Sequence, residues 1–426
     1  MALFTFPRRT DPADRRSPTG LEGRDFLLLI VATLGTFSNY APLLSVVSLW
    51  SAEGGSGHGG VGAATGVTMA TTVGIQLVMS RLLRRYGLRR ILAAGALLLG
   101  LPTFAYPVSS GLEWVLAVSA VRGVGFGMVA VAGSALVAEL VPPGQRGRAV
   151  GRYGIAVGLP QVVCLPAGVW CAQQFGFTAV FVVTGAASVL AAPLAGLMSG
   201  RRAEESEEGD AEASSGRERP GESDTSRPEG GLRPMAGPWT MLIVSACALG
   251  GMTSFLPLAL EGDAAAPTAL FVLSAAVIVG RWAAGSFSDR AGSGHLLVPG
   301  VLACALGTAG VAGAAAGLPA AAVLASVAAG LYGLGFGALQ NDTLVMMFRR
   351  AGPQGHGMAS TAWNMAYDAG TGVGAVVVGV ASQVVGVDGA FAAAAVLIGL
   401  VGPLARHERG HESAHRVTPA PAGETC

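Results

Sequence analysis

Hydrophobic positions gather into twelve long runs, near 26–50, 61–83, 91–107, 114–141, 151–172, 177–199, 239–260, 268–288, 296–316, 320–347, 358–384 and 389–405. Each is roughly 17 to 28 residues long, the length of a helix crossing about 30 Å of hydrocarbon. Polar positions sort by side. With the chain ends and every second connection labelled inner, every arginine lies inside or at the inner end of a run, except Arg122 and Arg281 within runs. The remaining connections (51–60, 108–113, 173–176, 261–267, 317–319 and 385–388) hold none. Positive charge marks the cytoplasmic side. The pattern therefore predicts an all-α membrane protein of twelve transmembrane helices, multi-pass in the plasma membrane, with both termini cytoplasmic and the lipid bilayer as its surroundings.

The twelve runs are a six-run pattern written twice. Arg122-Gly-Val-Gly-Phe-Gly127 in run four returns as Tyr332-Gly-Leu-Gly-Phe-Gly337 in run ten, an offset of 210 (122 to 332). Gly35 to Pro42 (GTFSNYAP) matches Gly250 to Pro257 (GGMTSFLP), and Ser80 to Gly87 matches Gly285 to Gly292. Each match pairs run n with run n+6. Six crossings bring the chain back to its starting side, so the halves form a parallel repeat about an axis along the membrane normal.

Five segments follow: a cytoplasmic tail 1–25, a six-helix bundle 26–199, a linker 200–237, a second bundle 238–405 and a cytoplasmic tail 406–426. The linker is acidic, rich in Ser, Pro and Gly, and has almost nothing apolar to bury, so it reads as disordered. The second tail carries His407, His411 and His415 at helical spacing. Gly410 among them and the lack of an apolar face favour a solvated segment over a metal site.

Only 12% of residues are charged, against about 25% in a soluble domain. The arginines are topology determinants, so no nucleic-acid partner is implied. Four cysteines lie in runs and Cys426 at the tip, without a CxxC, which argues against disulfides and zinc. No phosphate-binding GxxxxGK[ST] loop occurs, and no run gathers a catalytic Ser/His/Asp set or HExxH. The chain reads as neither an ATP-driven pump nor an enzyme, with no cofactor.

Two six-span halves, a long charged middle segment and a motif after spans two and eight resemble the major facilitator superfamily. That family's signature there is Gly-x-x-x-Asp-Arg-x-Gly followed by basic residues. The second copy is intact, Gly285-Ser-Phe-Ser-Asp289-Arg290-Ala-Gly292; the first has Arg84 where the acid belongs, followed by Arg89 and Arg90. The resemblance implies a cytoplasmic latch, with Asp289 facing the start of span five near Gly151, where a helix N-terminus favours a carboxylate. It also implies that Glu139 pairs with Arg89 or Arg90.

By the same resemblance, spans one, four, seven and ten line a central cavity. Candidate lining residues are Asn39, Tyr40, Arg122, Ser254, Phe255 and Asn341, with Asn364 and Tyr367 from span eleven. Pro42 and Pro257 are expected to interrupt their helices beyond the polar positions. Charges at membrane depth are costly and default to function. Asp368 lies near mid-depth with no arginine within two turns on its own helix. Such an isolated acid favours its neutral form, as a proton carrier requires. Asp342 is the second proton candidate, with pairing to Arg349 and Arg350 as its alternative. Arg281 reads as a local partner for Asp289.

The expected function is alternating-access secondary transport by a monomer, with a small-molecule substrate and the proton as partners. A mostly apolar cavity with one cation and one or two acids suits proton-coupled export of an amphipathic molecule such as a drug or secondary metabolite. Span five lacks the Gly-Pro pair usual in proton-coupled exporters of the family, which leaves import of a small organic solute open. A non-transporting sensor is the alternative from another class.

Overall fold

The computed structural model describes residues 20–198, 233–260, 262, 264–291, 294–352 and 355–417. Most of the first tail, linker residues 199–232 and residues 418–426 lie outside this set. The first half comprises α1 (Arg24–Glu53), α2 (His58–Tyr86), α3 (Leu88–Gly100, prolonged by a 3-10 segment Leu101–Val108), α4 (Leu112–Leu140), α5 (Arg146–Phe175) and α6 (Phe177–Gly196). The second comprises α7 (Ala236–Ala259), α8 (Ala265–Ala291), α9 (Leu297–Ala315) and α10 (Ala321–Ala351), then a helical stretch His356–Gly399.

That last stretch is two crossings. Gly386 breaks it with φ 76° and ψ 167°, leaving α11 (356–385) and α12 (387–399). Gly176, the residue 210 earlier, joins α5 to α6 with φ 82° and ψ 161°. A positive φ of this kind is open to glycine and strained for other residues, so the same turn closes the same hairpin in both halves. Twelve crossings follow, from eleven apolar helical stretches among the described residues, of which the last, Gly357–Gly410, contains the break.

Packing repeats as well. The pairs α1–α5, α2–α4 and α3–α4 are matched by α7–α11, α8–α10 and α9–α10. The repeated glycines explain why. A side chain at Gly123 or Gly127 would strike α2 at Thr68 or Ile75, and one at Gly125 would strike α3 at Leu99. At Gly333 and Gly337 it would strike α8 at Leu273 or Val277, and at Gly335 it would strike α9 near Gly300. Alternate glycines let α4 and α10 each touch two helices at backbone distance, the way small residues drive close packing in membranes.

Two expectations change. Pro42 and Pro257 do not break α1 or α7, because both lie inside continuous helices. The chain after 405 is not simply solvated: Gly402–Val417 is helical (α13). Glu408 is buried against Gly237, where a side chain would collide with it, and pairs with Arg350. Arg350 Nη1 also donates to Pro234 O at 2.8 Å. A docked ion pair supplies what the sequence of this helix lacks in apolar surface.

Candidate functional site

The halves meet along α2–α11, α5–α8 and α1–α7. On the face without arginines this seam is closed. His58 meets Phe255 edge-on with centroids 6.1 Å apart, Thr65 Oγ1 lies 3.0 Å from Ser254 Oγ, and Ser45 Oγ donates to Thr253 O. Added carbon at Gly62 or Gly66 would strike Ala375 or Val376. Ser254 and Phe255, expected to line the cavity, are instead fully buried parts of this closure.

Toward the arginine face the two halves are joined at Asp368. Gln76 Nε2 of α2 donates to its Oδ2 at 2.8 Å. Asp368 is 5% exposed and sits about 18 Å along α11 from its arginine-side end, at 1.5 Å per residue. Gln76 Oε1 is buried without any hydrogen-bond partner. The titratable groups that interact electrostatically with Asp368 are the phenols of Tyr40 on α1 and Tyr367 on α11. Below this level the halves part. Gly151 and Gly154 of α5 face open space, while Asn364 and Arg281 are exposed.

Arg122 belongs to the interior of the first half. It is 3% exposed, and its guanidinium donates to Asn39 Oδ1 at 3.0 Å, Tyr106 Oη at 3.2 Å and Thr103 Oγ1 at 3.2 Å. Asn39 Nδ2 donates to Thr103 Oγ1 at 3.1 Å, and Tyr106 Oη lies 2.8 Å from Ser119 Oγ. These partners are all neutral and tie α4 to α1 and the segment after α3. Tyr332, the residue 210 later, plays the matching part by donating to Ser245 O of α7 at 2.7 Å. Tyr40 stacks on Phe126 with centroids 3.6 Å apart and planes within 3°. The space bounded by Tyr40, Thr65, Thr68 and Arg122 is about 10 Å³, room for about one water. Arg122 is thus a helix-joining residue here, and substrate contact would require it to leave Asn39.

Asp342 also departs from expectation. It accepts from Ser288 Oγ at 2.8 Å, Gly294 N at 3.0 Å, Leu296 N at 3.4 Å and the Asn341 amide at 3.4 Å. The carboxylate therefore holds the α8–α9 connection just before the start of α9, where the helix dipole favours negative charge. Its helix azimuth points away from the seam. Asn341 serves the same cluster and lies beside Gly285, 3.5 Å from where its side chain would begin. The side chains of Asp289 and Arg290, and Gly292, lie outside the described residues. Among the described residues nothing lies within 4 Å of where a side chain at Gly151, the expected seat of the latch, would begin. Arg89 Nη2 lies 3.5 Å from Glu139 Oε1, and Arg90 is exposed.

Residues that the sequence reading passed over complete the site. Thr65, Thr68, Thr72 and Gln76 form one buried stripe on α2, a signal visible as helical spacing but on a span outside the four expected to line a cavity. Arg281 lies over the Trp363 ring, its Cζ 5.7 Å from the centroid. Trp363, Tyr367 and Phe336 stack in series at 6.0 and 6.1 Å. Asn364 is turned to its own helix, donating to Ser360 O at 2.8 Å.

The two-bundle arrangement has solved counterparts. A bacterial homolog of the human lysosomal transporter Spinster, in an inward-facing and occupied conformation, superposes with a TM-score of 0.70 at 15% identity, covering 93% of this chain and 98% of that one. The nucleoside transporter NupG gives 0.64 at 13%, covering 93% and 100%. A D-xylose-proton symporter gives 0.68 at 13%, covering 91% and 96%. At these identities the likeness is one of fold. No curated protein matches the chain significantly. The family model of the Major Facilitator Superfamily matches residues 26–375, and with that span, this fold and this internal repeat, the chain belongs to the major facilitator superfamily of membrane transporters.

Proposed function

We propose that the chain exports an amphipathic small molecule across the plasma membrane in exchange for protons, with Asp368 as the coupling acid. The observation that carries this reading is the incomplete pairing of Gln76 with Asp368 across the seam. A neutral Asp368 accepts from Nε2 on one oxygen and can donate its own proton to Oε1 with the other, closing a two-bond ring. A carboxylate has no proton to give, and Oε1 stays orphaned. The orphaned acceptor, at about 1–3 kcal/mol, adds to the cost of burying a carboxylate whose donor across the seam is Gln76 alone, so protonation favours this cytoplasm-open arrangement; about 1–3 kcal/mol corresponds to roughly 5–150-fold.

The direction of exchange follows from what closes the seam. The protonated pair joins the halves through protein groups alone, with no need of substrate. A proton taken from outside therefore returns the carrier to its cytoplasm-open state by itself, the half-cycle that an antiporter needs. A symporter must suppress that step, because a proton crossing alone dissipates the gradient. The substrate then enters from the cytoplasm between the parted halves, and Asp289, Glu139 and their arginines serve the opposite, outward-open state as the latch.

Asp368→Asn tests this. The Asn amide copies the protonated acid, accepting from one side and donating to Oε1, but it cannot release a proton. In energised everted vesicles, with the amphipathic compound best accumulated by the wild type in a screen, the variant is expected to lose pH-gradient-driven accumulation. Exchange of labelled for unlabelled compound at equal pH should persist. Normal gradient-driven accumulation by Asp368→Asn overturns the assignment, and wild-type vesicles that release rather than accumulate compounds on energisation identify an importer.

A further inference from the structure

We infer that the cytoplasm-facing wall formed by Arg281, Trp363 and Tyr367 is a binding site for organic anions with an aromatic body, an aryl carboxylate being the simplest. The inference deepens the reading of the chain as a carrier of amphipathic molecules, and it depends on neither Asp368 nor the direction of transport.

Arg281 is a cation within a membrane-crossing helix, about 10 Å from the end of the span at Ser288 by helical rise. Such a charge is expensive unless paired or wetted. Among the described side chains no carboxylate pairs with it; its neighbour is the Trp363 ring, at 5.7 Å. Unlike Arg122, whose fork is committed to three neutral acceptors, Arg281 is exposed as a residue and makes no hydrogen bond among the described residues. That fork matches a carboxylate in two parallel hydrogen bonds, which an ammonium cannot do.

The aromatic half of the site is built and held. Tyr332, Phe336, Tyr367 and Trp363 form a ladder of stacked rings, with centroids 5.5, 6.1 and 6.0 Å apart and planes inclined by 16°, 27° and 10°. The buried end is fixed by Tyr332 Oη on Ser245 O. The other end is fixed by Trp363, which is 8% exposed and whose Nε1 donates to Thr343 Oγ1 at 3.2 Å. Tyr367 is half-buried, so part of the ladder meets the cavity. An aryl group against Trp363 and Tyr367 places a carboxylate on its rim at the guanidinium. Charge favours the same class: Arg281 has no carboxylate partner among the described side chains, and the acid of the neighbouring α10, Asp342, is spent on the α8–α9 connection. A cationic amphiphile would meet Arg281 with like charge.

The test is equilibrium binding of three matched probes, 1-naphthoate, 1-naphthamide and 1-naphthylmethylammonium, to the purified full chain by calorimetry. The wild type is expected to bind naphthoate at least tenfold more tightly than naphthamide and the ammonium more weakly still. Arg281→Gln should erase the preference for the acid, Arg281→Lys should leave part of it, and Trp363→Leu should weaken acid and amide alike. Asp368→Asn should keep naphthoate binding, so a failure of proton coupling and a failure of this site are told apart. Equal binding of acid and amide by the wild type, which needs no variant to fold, overturns the inference. So does no binding of any probe, or a preference lost in Arg122→Lys but kept in Arg281→Gln.

Discussion

Removal of the Gln76 amide gives the sharpest check on the seam. Gln76→Leu keeps nearly the same volume within a stripe of buried residues but deletes both hydrogen-bonding groups facing Asp368. In the wild type, protonation of Asp368 satisfies Oε1, and the difference between an orphaned and a satisfied buried acceptor is about 1–3 kcal/mol. The balance between cytoplasm-open and outward-open states should therefore shift roughly 5–150-fold between the two protonation states. In Gln76→Leu neither protonation state of Asp368 has a partner on α2, so the hydrogen bond that holds the seam is lost in both, and only the cost of burying a carboxylate without a donor still separates them. A cysteine at position 151 reports the state, because among the described residues nothing lies within 4 Å of a side chain built there on the parted, arginine-bearing face. With the native cysteines replaced, labelling by an impermeant maleimide in everted vesicles is followed at several pH values and normalised to the same cysteine in unfolded protein. The wild type should label faster as pH falls, and Gln76→Leu should label more slowly than the wild type at each pH, because the cytoplasm-open state loses its seam hydrogen bond. Labelling of Gln76→Leu equal to the wild type throughout, or wild-type labelling that slows with falling pH, refutes the argument.

Two further outcomes follow from the polar clusters. Asp342→Ala removes the acceptor of two backbone N–H groups and Ser288; at about 1.5–3 kcal/mol for each hydrogen bond to a charged group, a loss of more than about 3 kcal/mol should appear in thermal unfolding in detergent, with gradient-driven flux per folded molecule retained. Uncoupled transport at wild-type stability would move the proton site to α10. Arg122→Ala orphans Asn39 Oδ1 and should lower stability by about 1–3 kcal/mol, with Arg122→Lys intermediate because one ammonium cannot span three acceptors. Wild-type unfolding combined with lost substrate binding would return Arg122 to the cavity.

What the sequence revealed depends on which coordinate of a helix a feature occupies. Span length and arginine placement report position along the membrane normal, so the twelve crossings and the depth of Asp368 were legible. The GxGxG pair was legible as a repeat, and the structure adds its cause, two neighbours at backbone distance from α4 and from α10. Azimuth was not legible. Asp342 lies at a plausible depth for coupling yet points into the α8–α9 connection, and Arg281 points at Trp363 instead of along its own helix. Ser254 and Phe255 lie on a cavity-type helix but at the end that seals. Gln76 escaped because the four expected lining spans exclude α2, although Thr65, Thr68, Thr72 and Gln76 mark one face by spacing alone. The docking of α13 rests on Glu408 meeting Arg350, a pairing between residues 58 positions apart that no local pattern foretells.

The proposed proton and substrate sites share one helix, and this bears on how one event can drive the other. Trp363, Asn364, Tyr367 and Asp368 fall at i, i+1, i+4 and i+5 of α11, so Tyr367 stacks on Trp363 while its neighbour in sequence holds the seam. The pair at Asp368 binds α11 to α2 of the other half, whereas the aromatic ladder binds α11 to α10 of its own half. An anion at Arg281 adds negative charge to a wall whose other seam acid is Asp368, and like charges at close quarters oppose one another's formation. Substrate binding and loss of the Asp368 proton then act as competing charges on one helix, while proton uptake restores the Gln76 pair. Reciprocity makes this measurable from either end: if naphthoate and the proton are coupled through α11, naphthoate affinity must depend on pH in the wild type. It must lose that dependence in Asp368→Asn while keeping its requirement for Arg281. Affinity with the same pH profile in both proteins would leave two sites on α11 without a link between them.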